Sequence, residues 1–247
     1  MIKIVALDFD GVIMDGAHEV FVACQKVLEE RNQKLEDSAE SKFRMGRNLL
    51  RAGKDLYGII ELFKQGVDFN KISQKEFDDF VKENEEESKK FSKDFFAMRE
   101  KMIRENFNTW LSLNRLYSGI KDSIEKLSKK FHVVTISNKY FNSIAIIFEK
   151  MGIGIDKDDI FSKEISENKV EQIKNISKKF SVNPEEIFFI DDMPKHVEDV
   201  KELGLNVALA GWGYNNDMQK EEVRQLEIPV IDKPEDIEKE IKRLNEK

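Results

Sequence analysis

The 247-residue chain carries 41 Lys plus Arg against 48 Asp plus Glu, a formal net charge of -7, with 40% apolar and 36% charged residues. That is enough apolar surface for a packed core, which argues against wholesale disorder, and the acidic balance excludes a general polyanion binder, so no nucleic-acid role is expected. The longest apolar runs, Val20–Cys24 and Ile144–Phe148, fall far short of the roughly 20 residues a spanning helix needs, so no membrane role is expected either.

In chain order, Ile2–Leu7 is an apolar, β-branched run ending at Asp8, the pattern of a buried parallel strand. This opening lacks the long apolar stretch and small-residue cleavage site of a signal peptide. After Gly11 the period changes, and Val20, Phe21, Cys24, Val27 and Leu28 recur at helical spacing. Cys24 is the only cysteine, which excludes an internal disulfide and a cysteine metal cluster and gives the expectation of a reducing, cytoplasmic setting. A longer helix is predicted through Phe77, Val81, Asn84, Phe91, Phe95, Met98 and Met102, interrupted by the charged run Glu85–Lys90. No strand pattern is present between about 17 and 111.

From Leu116 onward strands and helices alternate. Helix Ile120–Lys130, strand His132–Ile136, helix Ser143–Met151, strand Ile160–Ile165 and helix Lys169–Phe180 are followed by strand Ile187–Ile190. A helix around His196–Leu203, strand Asn206–Ala210, a Gly211–Asn215 loop and a helix over Pro234–Leu244 complete the chain. The alternation predicts an α/β fold with a parallel sheet covered on both faces, its first strand cut off from the others by a helical insertion.

Four separated signals then fall at strand ends, beyond which an open α/β sheet forms its site. Asp8 and Asp10 follow the first strand, Ser137 and Asn138 the next, Lys169 opens the helix after a third, and Asp191 and Asp192 end Ile187–Ile190. Each alone is also a common turn or helix-cap residue. Together they make a site for a hard cation and a phosphate. Mg2+ is held by carboxylate and carbonyl oxygens and offsets repulsion between two anions. A carboxylate such as Asp8 can attack phosphorus, Asp10 can trade the leaving group's proton, and Ser137 and Lys169 can hold phosphoryl oxygens. Gly11 lets the backbone turn sharply beside them.

Asp8-Phe-Asp-Gly-Val-Ile-Met-Asp15, Val133-Val-Thr-Ile-Ser137-Asn, Lys169 and Ile187-Phe-Phe-Ile-Asp-Asp192 resemble motifs one to four of the haloacid dehalogenase (HAD)-like hydrolase superfamily. The helical insertion is similar to a type-1 cap, and Gly211-Trp-Gly-Tyr-Asn215 is similar to a segment of phosphoglycolate-phosphatase-like members. The resemblance implies a Rossmann-like parallel core over residues 1–16 and 112–247, with an all-helical cap domain over 17–111. It implies Asp8 as nucleophile and metal ligand, and Asp10 as acid/base with its main-chain carbonyl on Mg2+. It further implies Ser137, Asn138 and Lys169 on phosphate, Asp192 as metal ligand and Asp191 assisting it, through water or directly. Asp10 suits phosphoester cleavage, where an alkoxide needs a proton, and not carbon–halogen cleavage.

The expected activity is a Mg2+-dependent phosphatase acting on a small phosphorylated metabolite. A phosphomutase of the β-phosphoglucomutase type is the alternative enzyme, and a phospho-acceptor or binding module the non-enzymatic one. Arg44, Arg47, Arg51 and Lys54 are spaced to share one helical face, so Arg47 and Arg51 are candidates for a second anionic group of the substrate, against the simpler reading of a solvated basic face. Phe63, Phe77, Phe95 and Trp110 read as packing, and His196, just past Asp192, reads as a surface residue in preference to one that touches the site. The sequence carries no signal for oligomeric state.

Overall fold

The computed structural model describes residues 1–36 and 39–246. Strand β1 (Ile4–Asp8) is followed by helices α1 (Ala17–Glu30), α2 (Ala39–Gly46), α3 (Leu56–Lys64), α4 (Gln74–Glu83), α5 (Glu85–Glu105) and α6 (Phe107–Ser112). Then come α7 (Ile120–Leu127), β2 (His132–Ile136), α8 (Phe141–Met151), β3 (Ile160–Phe161), α9 (Lys169–Phe180) and β4 (Ile187–Asp191). The chain closes with α10 (Pro194–Lys201), β5 (Asn206–Ala210), α11 (Asp217–Gln225), β6 (Val230–Ile231) and α12 (Ile237–Asn245). Two compact units result, Met1–Asp15 with Leu116–Lys247, and Gly16–Arg115.

In the first unit the strands form a parallel sheet in the order β3-β2-β1-β4-β5-β6. The central strands are buried on both faces, which is why Ile4–Leu7 and Ile187–Ile190 are unbroken apolar runs and not alternating ones. Ile4 and Ala6 pack with Val134, Ile136, Ile173, Ile176, Val197 and Val200 from the flanking strands and helices. β1 aligns Ile4 with both His132 and Ile187, so Asp8, Ser137 and Asp191 emerge at the same edge of the sheet. The chain leaves β1 toward β2 on one side and β4 on the other, and this reversal opens a crevice at that edge.

Two strands differ from expectation. β3 is only Ile160–Phe161, because the carbonyl of Ser162 already accepts the N–H groups of Ile165 and Ser166 in a turn. β6 has no period to read in two residues, yet Leu209 and Ala210 pair with Val230 and Ile231.

The second unit packs α1–α5 around Phe21, Cys24, Phe43, Ile59, Phe77, Phe91, Phe95 and Met98. Phe63 packs against this cluster and Trp110 is buried in α6, so these aromatics are packing residues. The charged run does not interrupt a helix. The break falls at Asn84, whose side-chain amide donates to the Phe80 carbonyl at 2.9 Å, and Glu85–Glu87 form the first turn of α5, where the helix dipole favours acids. No helix among the described residues is long and apolar enough to cross a membrane.

Candidate active site

β1 ends at Asp8, and the chain turns at once: the Gly11 N–H donates to the Met14 carbonyl at 2.9 Å, and Ile13 and Met14 donate back to Phe9. Gly11 has φ +88°, and a Cβ there would lie 2.2 Å from Oδ2 of Asp192. Only glycine therefore lets the first strand end and the fourth strand end meet. Gly213 makes the same allowance from the other side, since its Cβ would lie 2.3 Å from that of Asp192. The Tyr214 N–H donates to the Asp192 carboxylate at 2.6 Å, and the Asn215 amide donates to the Asp192 and Ala210 carbonyls. Trp212 Nε1 donates to the Val12 carbonyl at 3.0 Å, and the Tyr214 hydroxyl donates to Asp15 at 3.1 Å. The Gly211–Asn215 loop is thus the clasp that fixes Asp192 against the Asp10–Asp15 turn.

Asp8, Asp191 and Asp192 are buried, and each offers a carboxylate oxygen within 4.8 Å of the others. Lys169 Nζ donates to Asp8 Oδ1, donates to the Ile136 carbonyl at 3.3 Å, and stands 3.7 Å from Asp191. Its approach is set by Asn168, whose side chain caps α9 by accepting the Val170 N–H at 2.8 Å. One turn on, Gln172 donates to the Ser137 carbonyl at 2.9 Å and to that of Ser166 at 2.7 Å, pinning the end of β2 to α9. Asp191 accepts from the Met193 N–H at 2.9 Å and from His196 Nδ1 at 3.0 Å. His196 therefore touches the carboxylate cluster through Asp191, the less favoured of its two readings.

Burial pushes the Asp8 carboxyl up to about 7 against the pull of Lys169, with the neighbouring Asp191 charge adding to the rise. Burial acts on Lys169 the other way, but Asp8 and Asp191 outweigh it and hold the ammonium above the usual lysine range. Burial also disfavours the Asp191 carboxylate, yet His196, Lys169 and the Met193 N–H hold it below its usual range. Burial would discharge His196, and Asp191 overcomes that and raises it. Three buried carboxylates against one ammonium and one imidazole leave the cluster short of positive charge. An all-oxygen donor set of this kind fits a hard divalent ion.

Asp10 lies at the rim with its side chain 29% exposed, and accepts a 2.9 Å hydrogen bond from Lys139 Nζ. Ser137 is buried, and its hydroxyl accepts the Lys139 N–H at 3.1 Å. Asn138 is exposed on the bend between them. Asp8, Asp10, Ser137, Lys169, Asp191 and Asp192 thus share one edge of the sheet, with Lys139 and His196 as the members that sequence reasoning did not assign. Lys139 directly follows the Ser137-Asn138 strand end, and that adjacency was its only signal.

Arg44, Arg47, Arg51 and Lys54 do not share a helical face. α2 stops at Gly46, Arg47 opens a 3-10 turn, and the Asp55 carboxylate accepts the N–H groups of Arg51 and Ala52 at 2.8 and 2.7 Å, which bends the chain between them. Arg51 pairs with Asp78 at 3.0 Å and Arg44 lies 3.7 Å from Glu40.

Residues 2–204 match the family model of haloacid dehalogenase-like hydrolases. No curated protein matches the chain. Among solved structures, the chain is similar to a haloacid dehalogenase-like family hydrolase from Streptococcus pneumoniae (TM-score 0.67, 14% identity, 97% of this chain and 98% of that one). It is likewise similar to a protein from Haemophilus somnus named a predicted phosphoglycolate phosphatase (TM-score 0.66, 17% identity, 96% and 97%). A predicted phosphatase from Clostridium acetobutylicum aligns with TM-score 0.64 at 16% identity over 98% and 99% of the two chains. The family match runs from β1 past the end of α10 and so takes in every strand end that carries a carboxylate: this chain belongs to the haloacid dehalogenase-like hydrolases and is an enzyme.

Proposed function

We propose that the protein is a Mg2+-dependent phosphatase that hydrolyses a small phosphomonoester through an aspartyl-phosphate on Asp8. The observation that carries this reading is the division of labour between two aspartates two residues apart. Asp8 is buried among carboxylates on Lys169, and Asp10 stands at the solvent-facing rim. A buried nucleophile beside a half-exposed proton carrier suits two-step phosphoester hydrolysis.

In the first step Asp8 attacks phosphorus while the Lys169 ammonium and the Ser137 hydroxyl hold phosphoryl oxygens, with Asn138 at the entrance. Asp10 protonates the departing oxygen. In the second step Asp10 takes a proton from the water that releases phosphate from Asp8. Asp8, Asp192 and the Asp10 carbonyl would hold Mg2+, with Asp191 beside them. When bound, Mg2+ lowers the repulsion between the Asp8 carboxylate and an anionic phosphate. The helical Gly16–Arg115 unit serves as the cap that selects the substrate, with Arg47 and Arg51 the candidates to meet a second anionic group. The buried, unpaired Cys24 accords with a reducing cytoplasm.

The test is phosphate release from a panel of phosphorylated metabolites by wild type and Asp8→Asn, with Mg2+. Wild type is expected to release phosphate, and Asp8→Asn to lose at least about a thousandfold in turnover with its fold intact, as expected for a covalent nucleophile. Turnover by Asp8→Asn near the wild-type rate would overturn Asp8 as nucleophile. An isomeric sugar phosphate in place of free phosphate would make the enzyme a mutase.

A further inference from the structure

We propose that Lys139 is a positioning residue that holds Asp10 in the orientation from which it hands its proton to the leaving oxygen. This rests on the phosphatase reading of Asp8 and Asp10 and adds a residue to it.

Lys139 does not behave as a surface lysine. Its side chain is only 8% exposed, its ammonium lies 5.2 Å from the centroid of the Phe9 ring, and Nζ bonds Asp10 Oδ1 at 2.9 Å. Ordering and burying a long flexible cation is costly, and a solvent-exposed ion pair returns little. Here the cation is placed by the backbone: Ser137 Oγ accepts the Lys139 N–H, which turns the chain after β2 and sends the side chain across Phe9 toward Asp10. One tight turn therefore carries both the hydroxyl that meets the phosphoryl group and the ammonium that meets the acid.

The backbone of Asp10 is already fixed by its bridge to Met14 and by the Gly11–Met14 hydrogen bond. Lys139 adds a bond to its side chain, at Oδ1. In the step concerned, a bond forms between Asp8 Oδ and phosphorus as the ester P–O bond breaks. The electron pair of that bond goes to the leaving oxygen, which takes the proton of Asp10. The products are the free alcohol, phosphorylated Asp8 and an Asp10 carboxylate. Lys139 gives up no proton and remains bonded to that carboxylate throughout.

A holder of the acid has a signature that a phosphate-binding or purely structural lysine lacks: its loss matters in proportion to how badly the leaving group needs a proton. The experiment measures kcat/KM, which reports the leaving-group step, for wild type, K139M and K139R with Mg2+ over a series from 4-nitrophenyl phosphate to alkyl phosphates. K139M keeps the aliphatic stem over Phe9, and K139Q supplies the same comparison if K139M does not fold. Removing the ammonium is expected to cost about 100-fold on alkyl phosphates and less than about threefold on 4-nitrophenyl phosphate, the size of effect proton transfer commonly supplies. K139R is expected to recover most of the alkyl-phosphate rate. An equal loss across the series, or no loss, overturns the role of Lys139 while leaving the phosphatase reading in place. A wild type inactive on every ester overturns both.

Discussion

A methyl group on Gly11 would meet the Asp192 carboxylate at 2.2 Å in a backbone held at φ +88°, so two penalties coincide there. Gly66 separates them, because its φ is +76° yet a Cβ would meet nothing within 4 Å. Gly66→Ala is expected to cost only the left-handed strain, about 1 kcal/mol, whereas Gly11→Ala pays strain and displaces Asp192, for about 3 kcal/mol or more. Urea unfolding of the two variants checks the difference, and equal losses would mean that Asp192 yields freely. The same contrast explains what was legible at this scale. Asp8, Asp10, Ser137, Asp191 and Asp192 can be picked out because each sits at or just past a strand end that an apolar run reveals, and Lys169 because it opens a predicted helix. His196 and Lys139 cannot, since their part depends on where a side chain points: from the start of α10 back to Asp191 at the end of β4, and to Asp10 across 129 positions of sequence. Tyr214 is harder still, because it holds Asp192 through a backbone N–H that any non-proline residue carries.

Helices that use the ordinary period were readable: α9 spans Lys169–Phe180, as its apolar spacing predicts. Boundaries set by a single side chain were not, and both misreadings in the helical unit have that cause. Asn84 ends α4 through its own amide, and Asp55 bends the chain after Arg51, neither of which alters a hydrophobic pattern. A third such feature ties α1, α5 and α6 together. Glu19 is 0% exposed, and its Oε1 accepts from Trp110 Nε1 and from Arg99 Nε, both at 2.8 Å. Two donors on one oxygen are unequal in consequence, because only one of them carries the compensating charge. Trp110→Phe is expected to cost about 1–3 kcal/mol for the lost hydrogen bond. Arg99→Met strands a buried carboxylate and is expected to cost about 3–5 kcal/mol. Denaturant melts of the single variants and of Arg99→Met combined with Glu19→Gln check this. The double variant should recover part of the loss, since no unpaired charge remains, and strict additivity would show that the pair is not coupled.

Over the whole chain the net charge of -7 is spread too widely to name a partner, and its informative part is local. Three carboxylates lie buried within 4.8 Å of one another at one edge of the sheet, where burial makes the charge of Asp8 oppose the fold. Unfolded Asp8 titrates near pH 4. Burial carries the folded value up to about 7. Because the folded value is the higher one, the stability tied to the Asp8 proton is complete below about pH 4 and is lost as pH rises through about 7. His196, also held above its ordinary value, loses its share in the same direction. Chelator-treated protein is therefore expected to melt at a lower temperature at about pH 8 than at about pH 5.5. On the proposed Mg2+ site the ion would compete with the Asp8 proton, so adding it should raise the melting temperature more at the higher pH, where the carboxylate is free to bind it. Asp8→Asn removes that proton and should flatten the pH dependence of the Mg2+ shift, even though Asp191 and Asp192 are still present. Thermal melts of both proteins at the two pH values, with and without Mg2+, decide the matter. An Mg2+ shift in wild type that is equal at both pH values, or larger at the lower one, would mean that the buried cluster does not bind its cation through Asp8.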